Sequence, residues 1–108
     1  MNLRKQFSDF PKSLKVIKNE FYSYDPNSEF EEKLNYEYLT EDLLQLYLEK
    51  DCITIDLGWY GDLSKNKGFF KVYVIKNQNW ENPLEVVKSK SQAKTSNELL
   101  KIIEKYNK

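Results

Sequence analysis

The fold is decided by residues 53–76, which run ITIDLGWYGDLSKNKGFFKVYVIK. In the first eight of these residues, apolar side chains alternate with polar or small ones, which is typical of a strand with one buried face. Residues 69–76 are rich in aromatic and β-branched side chains, which favour a second strand. The polar segment between them, residues 61–68, is short, so the two strands are predicted to form an antiparallel hairpin.

Downstream of the hairpin, the sequence predicts one short strand and a C-terminal helix. Residues 79–83 have the composition of a turn, and residues 84–88 are expected to form a third strand. The spacing from Thr95 to Glu98 is that of a capping box, which marks the start of a helix. An apolar stripe at helical spacing then follows: Leu99, Ile102, Ile103 and Tyr106.

Upstream of the hairpin, the spacing of apolar residues predicts helices. A first helix is expected over residues 10–22, with Pro11 in its first turn, where the missing N–H costs nothing. One face of that helix would carry four apolar residues: Phe10, Leu14, Ile17 and Phe21. Residues 28–50 are expected to form one helix or two with a break near Thr40. The capping-box spacing at Ser28 and the second N-cap at Thr40 favour two.

These elements together predict a single α+β domain over residues 1–108. Its N-terminal helices and C-terminal helix would pack on a three-stranded, or slightly larger, antiparallel sheet. A chain of 108 residues has the size of one domain. The single cysteine, the charged N-terminus and the lack of a long apolar run favour a cytoplasmic protein.

The composition excludes most common catalytic sites. The chain has no histidine, and Cys52 has no second cysteine to pair with, so we expect it to be a core or half-buried residue. We expect no enzyme activity, no cofactor and no metal. The remaining enzymatic hypothesis is a carboxylate-based hydrolase that uses Asp56 and Asp62. Because Asp56 lies on the strand face opposite Ile55 and Leu57, solvent exposure is the simpler interpretation of that residue.

The charges are unevenly distributed although they sum to zero. Residues 25–62 carry eleven acidic and two basic side chains, a net charge of −9. Tyrosines lie within or beside this acidic segment: Tyr22, Tyr24, Tyr36, Tyr38, Tyr47 and Tyr60. Carboxylates steer and pair with basic groups, and tyrosine rings supply contact area, so the segment is predicted to bind a basic protein. The alternative is that its acids only form the solvated side of the helices.

The basic last part of the chain raises the question of nucleic acid. Residues 63–108 carry ten lysines against four acids, and aromatic residues interleave with them: Phe69, Phe70, Tyr73 and Trp80. The zero net charge, the single arginine and the acidic segment argue against phosphate binding. We expect the lysines to mark solvated strand edges and helix faces, with neither nucleic acid nor membrane as a partner.

Three short motifs resemble those of a known family. DLGWYGD at residues 56–62 is followed by GFF at residues 68–70 and NWENPL at residues 79–84. This pattern resembles bacterial immunity proteins, and more narrowly the small immunity partners of contact-dependent growth inhibition toxins. The resemblance covers residues 53–106. It implies a non-enzymatic cytoplasmic protein that binds the C-terminal domain of its cognate toxin, a nuclease, as a monomer in a 1:1 complex.

The resemblance also implies a set of contact residues, since a carboxylate-rich surface can occupy the basic cleft of a nuclease. The set comprises Glu37, Glu41, Asp42, Asp56 and Asp62, with Tyr36, Tyr38 and Tyr60. Trp59 and Trp80 are assigned to structure, packing the sheet against helices. Two other hypotheses remain, namely an adaptor or regulatory domain that binds a basic protein other than a toxin, and the hydrolase.

Overall fold

The computed structural model describes residues 10–21, 42–62 and 67–107. Its elements, in chain order, are β1 (Leu14–Asn19), β2 (Leu44–Leu48), β3 (Ile53–Asp62), β4 (Lys67–Lys76), β5 (Glu85–Ser89) and α1 (Gln92–Tyr106). The five strands form one antiparallel sheet in the order β1-β2-β3-β4-β5. We call the face that α1 packs on, against β4 and β5, the inner face and the opposite one the outer face. The predicted α+β class is confirmed, whereas the three-stranded sheet and the helical N-terminal part are not matched.

The predicted hairpin is confirmed and forms the centre of the sheet. Strands β3 and β4 pair over their whole length, from Ile53 opposite Lys76 to Asp62 opposite Lys67. Three apolar pairs fill the inner face: Ile55 with Val74, Leu57 with Val72, and Trp59 with Phe70. Both strands extend into the predicted loop, β3 as far as Asp62 and β4 from Lys67.

The helix predicted over residues 10–22 is wrong, because residues 14–19 form β1. The strand register shifts between Val16 and Lys18, so one extra residue is inserted there as a bulge. The insertion brings Leu14 and Phe21 to the same face, and both are buried although they are seven residues apart. The bulge therefore reproduces an apolar spacing that fits a helix. Pro11 lies in a turn, where its carbonyl accepts a hydrogen bond from the Leu14 amide at 3.0 Å.

The helical prediction for residues 28–50 is also wrong at its C-terminal end. Residues 44–48 form β2, in which Leu44, Leu46 and Leu48 are buried. This alternation has the strand period of two and competes with the helical spacing that the same leucines satisfy. The pairing of β2 with both β1 and β3 decides in favour of the strand. Residues 28–41, the rest of the predicted helices, lie outside the described residues.

The C-terminal helix is confirmed, but it begins earlier than its predicted capping box. The N-cap is Ser91, whose Oγ accepts a hydrogen bond from the Lys94 amide at 3.2 Å. Thr95 lies inside the helix, and its hydroxyl donates to the Ser91 carbonyl oxygen at 2.7 Å. The predicted stripe is buried against the inner face at Leu99, Ile102 and Ile103, with Tyr106 half-buried at its end. The predicted third strand is confirmed as β5, shifted by one residue.

The two tryptophans have different environments. Trp59 is buried in the core, as predicted, and its ring lies over Gly68 of the neighbouring strand. Trp80 is 48% exposed, so its assignment to packing between sheet and helices is wrong.

Cys52 is exposed in the turn between β2 and β3, with φ of 53°, rather than buried or half-buried. Within the described part of the chain, no helix has the length and apolar character to cross a membrane.

Candidate functional site

The outer face of the sheet carries side chains that the core does not use. Because successive residues of a strand point to opposite faces, the partners of the core residues point outward. The central row across β2, β3, β4 and β5 consists of Gln45, Asp56, Tyr73 and Val86. A neighbouring row consists of Tyr47, Thr54 and Ile75. The outer face thus combines aromatic, amide and carboxylate groups, and three of these residues, Thr54, Asp56 and Ile75, are buried.

Aromatic rings on this face are linked to one another and to a lysine. Lys71 Nζ lies 5.4, 5.8 and 5.2 Å from the ring centroids of Tyr60, Phe69 and Tyr73, and it donates a hydrogen bond to the Tyr73 hydroxyl at 2.9 Å. The Tyr73 ring makes edge-to-face contacts with Tyr60 at 6.3 Å and with Trp80 at 6.1 Å. We call Tyr60, Tyr73 and Trp80 the ring row. These contacts hold the three rings in fixed orientations before any partner binds.

Asp56 lies at the middle of the outer face and is 8% exposed. The prediction that it is exposed to solvent is therefore wrong; its register partners on the two neighbouring strands are Gln45 and Tyr73. No hydrogen bond or ion pair joins its carboxylate to another described residue. Burial, together with the negative charge of Asp42, raises the pKa of Asp56 to about 6. A buried carboxylate without a partner is destabilising in its charged form.

Asp42 and Asp56 line one cleft, although they are fourteen positions apart in the sequence. The cleft has a volume of about 320 Å³. We call it the Asp56 cleft, and its lining residues are Ile17, Lys18, Asp42, Leu44, Gln45 and Asp56. Lys18 belongs to none of the ion pairs formed by the described residues. The two carboxylates and one basic residue, Lys18, thus line the same cleft.

Three members of the predicted contact set lie at the outer face. Asp42 and Asp56 share the Asp56 cleft, and Tyr60 belongs to the ring row. Asp62 is the last residue of β3, where its backbone pairs with Lys67. The remaining predicted contacts lie outside the described residues: Tyr36, Glu37, Tyr38 and Glu41.

The proposed catalytic pair of the hydrolase hypothesis is widely separated. Asp56 and Asp62 are six positions apart on one strand, which places their backbones about 20 Å apart. Paired carboxylates in glycosidases are separated by about 5 to 9.5 Å. Among the described residues, moreover, no group of three carboxylates or thiols is placed to hold a metal ion. The backbone separation of Asp56 and Asp62 is therefore too large for a catalytic pair of this type.

Sequence reasoning missed several residues of this face. Gln45 and Tyr47 were expected on a helix, and the parity of β2 instead places them beside Thr54 and Asp56. Together with Trp80, they line a second cleft of about 310 Å³. The strand period of residues 44–48 was the signal that could have identified them.

Comparisons of the chain with protein-family models, with curated proteins and with solved structures find no match.

Proposed function

We propose that this chain is a cytoplasmic protein-binding domain that neutralises a bacterial toxin, with the outer face bound to a basic surface of the toxin domain. The observation that carries the proposal is Asp56, a buried carboxylate that lies near the carboxylate of Asp42 and forms no hydrogen bond or ion pair with another described residue. Such groups are destabilising in the free protein and concentrate at sites that bind or react. A cationic group from another molecule would supply the missing partner.

The ring row supports a protein as the partner. Tyrosine and tryptophan are enriched among the residues that dominate protein–protein binding energy, because they bury large areas with little loss of side-chain freedom. Trp80 is 48% exposed at one end of the ring row and is therefore accessible to a partner. A surface with aromatic rings beside carboxylates is complementary to a basic protein surface that also carries apolar groups. The toxin itself is implied by the resemblance of residues 53–106 to immunity proteins.

An adaptor that binds a basic protein other than a toxin would use the same face. The two hypotheses differ only in the identity of the partner, so a toxin domain must be the ligand that is tested. Single-stranded nucleic acid is less well matched, because Lys71 is already engaged by three rings and a tyrosine hydroxyl. The carboxylates of Asp42 and Asp56 would also repel phosphate.

Binding to the C-terminal domain of a toxin encoded by a neighbouring reading frame tests the proposal. We expect a 1:1 complex by calorimetry that weakens as salt rises past about 0.15 M, where surface charges are screened beyond about 8 Å. The variant Trp80→Ala is expected to weaken the complex at least about tenfold, as loss of a buried aromatic anchor does. Leu100→Ala is the matched control, because Leu100 is exposed at 45% on the helix.

Three outcomes would count against the proposal. The first is no complex at micromolar concentration and low salt, and the second is equal affinity for the wild type and Trp80→Ala. The third is a complex with single-stranded oligonucleotides that the toxin domain does not displace. Retention of toxin binding by Leu100→Ala with loss by Trp80→Ala would place the interface on the outer face.

A further inference from the structure

We propose that the open cleft where β5 ends and α1 begins binds a small organic phosphate, with its phosphate group on lysines and its carbon skeleton on Phe69. The cleft has a volume of about 440 Å³. We call it the Phe69 cleft, and its lining residues are Phe69, Lys88, Ser89, Lys90, Ser91 and Lys94. It shares no lining residue with the Asp56 cleft.

Basic side chains reach the Phe69 cleft from three parts of the chain. Lys88 belongs to β5, Lys90 to the link between strand and helix, and Lys94 to the first turn of α1. Among the described residues that line the cleft none is acidic, and the first turn of α1 also lacks an acidic residue. Lys88 and Lys94 belong to none of the ion pairs formed within the described ranges. The cleft therefore has an excess of positive charge, which attracts an anion.

Two lysines lie directly opposite each other beside the Phe69 cleft. Lys71 of β4 and Lys88 of β5 are register partners, so both side chains point to the outer face. Their ammonium nitrogens lie 5.8 and 5.4 Å from the centroid of the Phe69 ring. Like charges directly opposite on neighbouring strands are destabilising. An anion beside Lys88 would reduce this repulsion, so the pair favours the bound form of the protein.

A phosphate monoester fits this charge better than a carboxylate does. It carries a charge of about −1.5 to −2 at pH 7 and three strong acceptor oxygens, which several ammonium groups can share. The Ser91 Oγ accepts a hydrogen bond from the Lys94 amide at 3.2 Å, and its own proton can be donated to a ligand oxygen. A carboxylate has one negative charge and two oxygens, so it would serve fewer of these groups.

The size and the aromatic side of the cleft indicate that the phosphate is attached to a carbon skeleton. A volume of about 440 Å³ lies within the range of about 300–1,000 Å³ for small-molecule sites. The ring of Phe69 is half-buried and offers an apolar surface beside the lysines. A flat ring or a sugar attached to the phosphate would contact that surface. A bare phosphate ion would leave it unused.

The carboxylate of Asp56 lies too far from the cleft to prevent phosphate binding. Asp56 is the register partner of Tyr73, which is four positions from Phe69 along β4. That separation is about 13 Å along the strand. Lys71 lies midway between the two positions and adds a positive charge there. The repulsion of a bound phosphate by Asp56 is therefore weaker than its attraction to the lysines that line the cleft.

The test uses phenyl phosphate as the probe and the whole chain as the receptor. We expect saturable NMR shifts of the backbone amides of Ser89, Ser91 and Lys94, with a dissociation constant on the order of millimolar. Lys88→Gln is expected to weaken binding at least about fivefold, because it removes one of the charges that hold the phosphate. The matched control is Lys76→Gln, since Lys76 is exposed at the far end of β4, and binding is expected to be unchanged.

Two further probes separate the phosphate from the ring. Benzoate keeps the ring and inorganic phosphate keeps the anion, and we expect both to bind more weakly than phenyl phosphate. Phe69→Leu is expected to reduce the preference for phenyl phosphate over inorganic phosphate. Equal affinity of the wild type and Lys88→Gln for phenyl phosphate would overturn the proposal. Binding of benzoate or inorganic phosphate as tightly as phenyl phosphate would also overturn it, as would equal weakening by Lys76→Gln and Lys88→Gln.

Discussion

Asparagine in place of Asp56 is expected to stabilise the free protein at neutral pH by about 2 kcal/mol. Burial and the neighbouring Asp42 raise the pKa of Asp56 from its ordinary value of 3.8 to about 6, so folding disfavours the charged carboxylate. A pKa change of one corresponds to about 1.4 kcal/mol. The full rise in the pKa of Asp56 would therefore lower the free energy of unfolding of the wild type by nearly 3 kcal/mol relative to the variant. Solvent in the open cleft screens part of the effect, which reduces the expectation to about 2 kcal/mol.

The pH dependence of this gain has a defined direction. Near pH 3 the carboxyl group is protonated in both the folded and the unfolded state, so wild type and Asp56→Asn are expected to have similar stability. As pH rises from 3.8 towards 6 the unfolded state loses its proton first, and the wild type loses stability relative to the variant. Above about pH 7 the difference is complete and constant.

Urea unfolding at about pH 3 and pH 8 measures this difference. Asp51→Asn is the matched control, because Asp51 is exposed in the turn before β3 and surface substitutions change stability by about 0.5 kcal/mol or less. A wild type that is as stable as Asp56→Asn at pH 8, or more stable, would show that Asp56 has a favourable partner. Groups with a shifted pKa that reduce stability are enriched at binding and reacting sites, which is why this result bears on the binding proposal.

Alanine in place of Gly68 is expected to destabilise the fold by about 3 kcal/mol or more. A Cβ atom at this position would lie 2.5 and 2.6 Å from two ring carbons of Trp59, and closer still to the carbonyl oxygen of Tyr60. The carbonyl belongs to the backbone of β3, and the ring is fixed in the core, so neither can move cheaply. Overpacking of this kind typically costs about 1–3 kcal/mol, and a backbone clash places this case at the upper end.

Thermal or urea unfolding of Gly68→Ala provides the measurement. Lys76→Ala is the control on the same strand, because its side chain is exposed and its removal creates neither a clash nor a cavity. The double variant Gly68→Ala with Trp59→Leu removes the ring carbons but leaves the clash with the Tyr60 carbonyl oxygen, so we expect it to remain destabilised. An unchanged unfolding midpoint for Gly68→Ala alone would mean that β3 and β4 do not pair in this register.

The hairpin could be predicted from sequence because its signal is local. In residues 53–60 every second side chain is apolar, and no helix of that composition would bury one face. Strand β1 could not be predicted from its apolar spacing. Its apolar residues recur at intervals of four, three and four, as on a helix, and the strand accommodates this spacing through the bulge between Val16 and Lys18. Strand β2 was ambiguous, since Leu44 and Leu48 satisfy both periods and only pairing with distant strands separates them.

The candidate site was only partly accessible to sequence reasoning. Strand parity placed Asp56 and Tyr60 on the face away from the core, which the structure confirms. The position of Asp56 between Gln45 and Tyr73 follows from the register of three strands. The meeting of Asp42 with Asp56 likewise requires β2 to be a strand. Long-range pairing creates these features, and no short window of sequence contains them.

The pKa of the Asp56 carboxyl in the free protein is the most direct test of the central claim. That claim is that the outer face holds a buried carboxylate with no cationic partner among the described residues. Carbon NMR of the side-chain carboxyl, followed through a pH titration, reports its pKa without a partner. We predict a midpoint of about 6, caused by burial and by the neighbouring Asp42. A midpoint at or below the ordinary value of 3.8 would contradict the account, because it would show that the carboxylate is already solvated or paired.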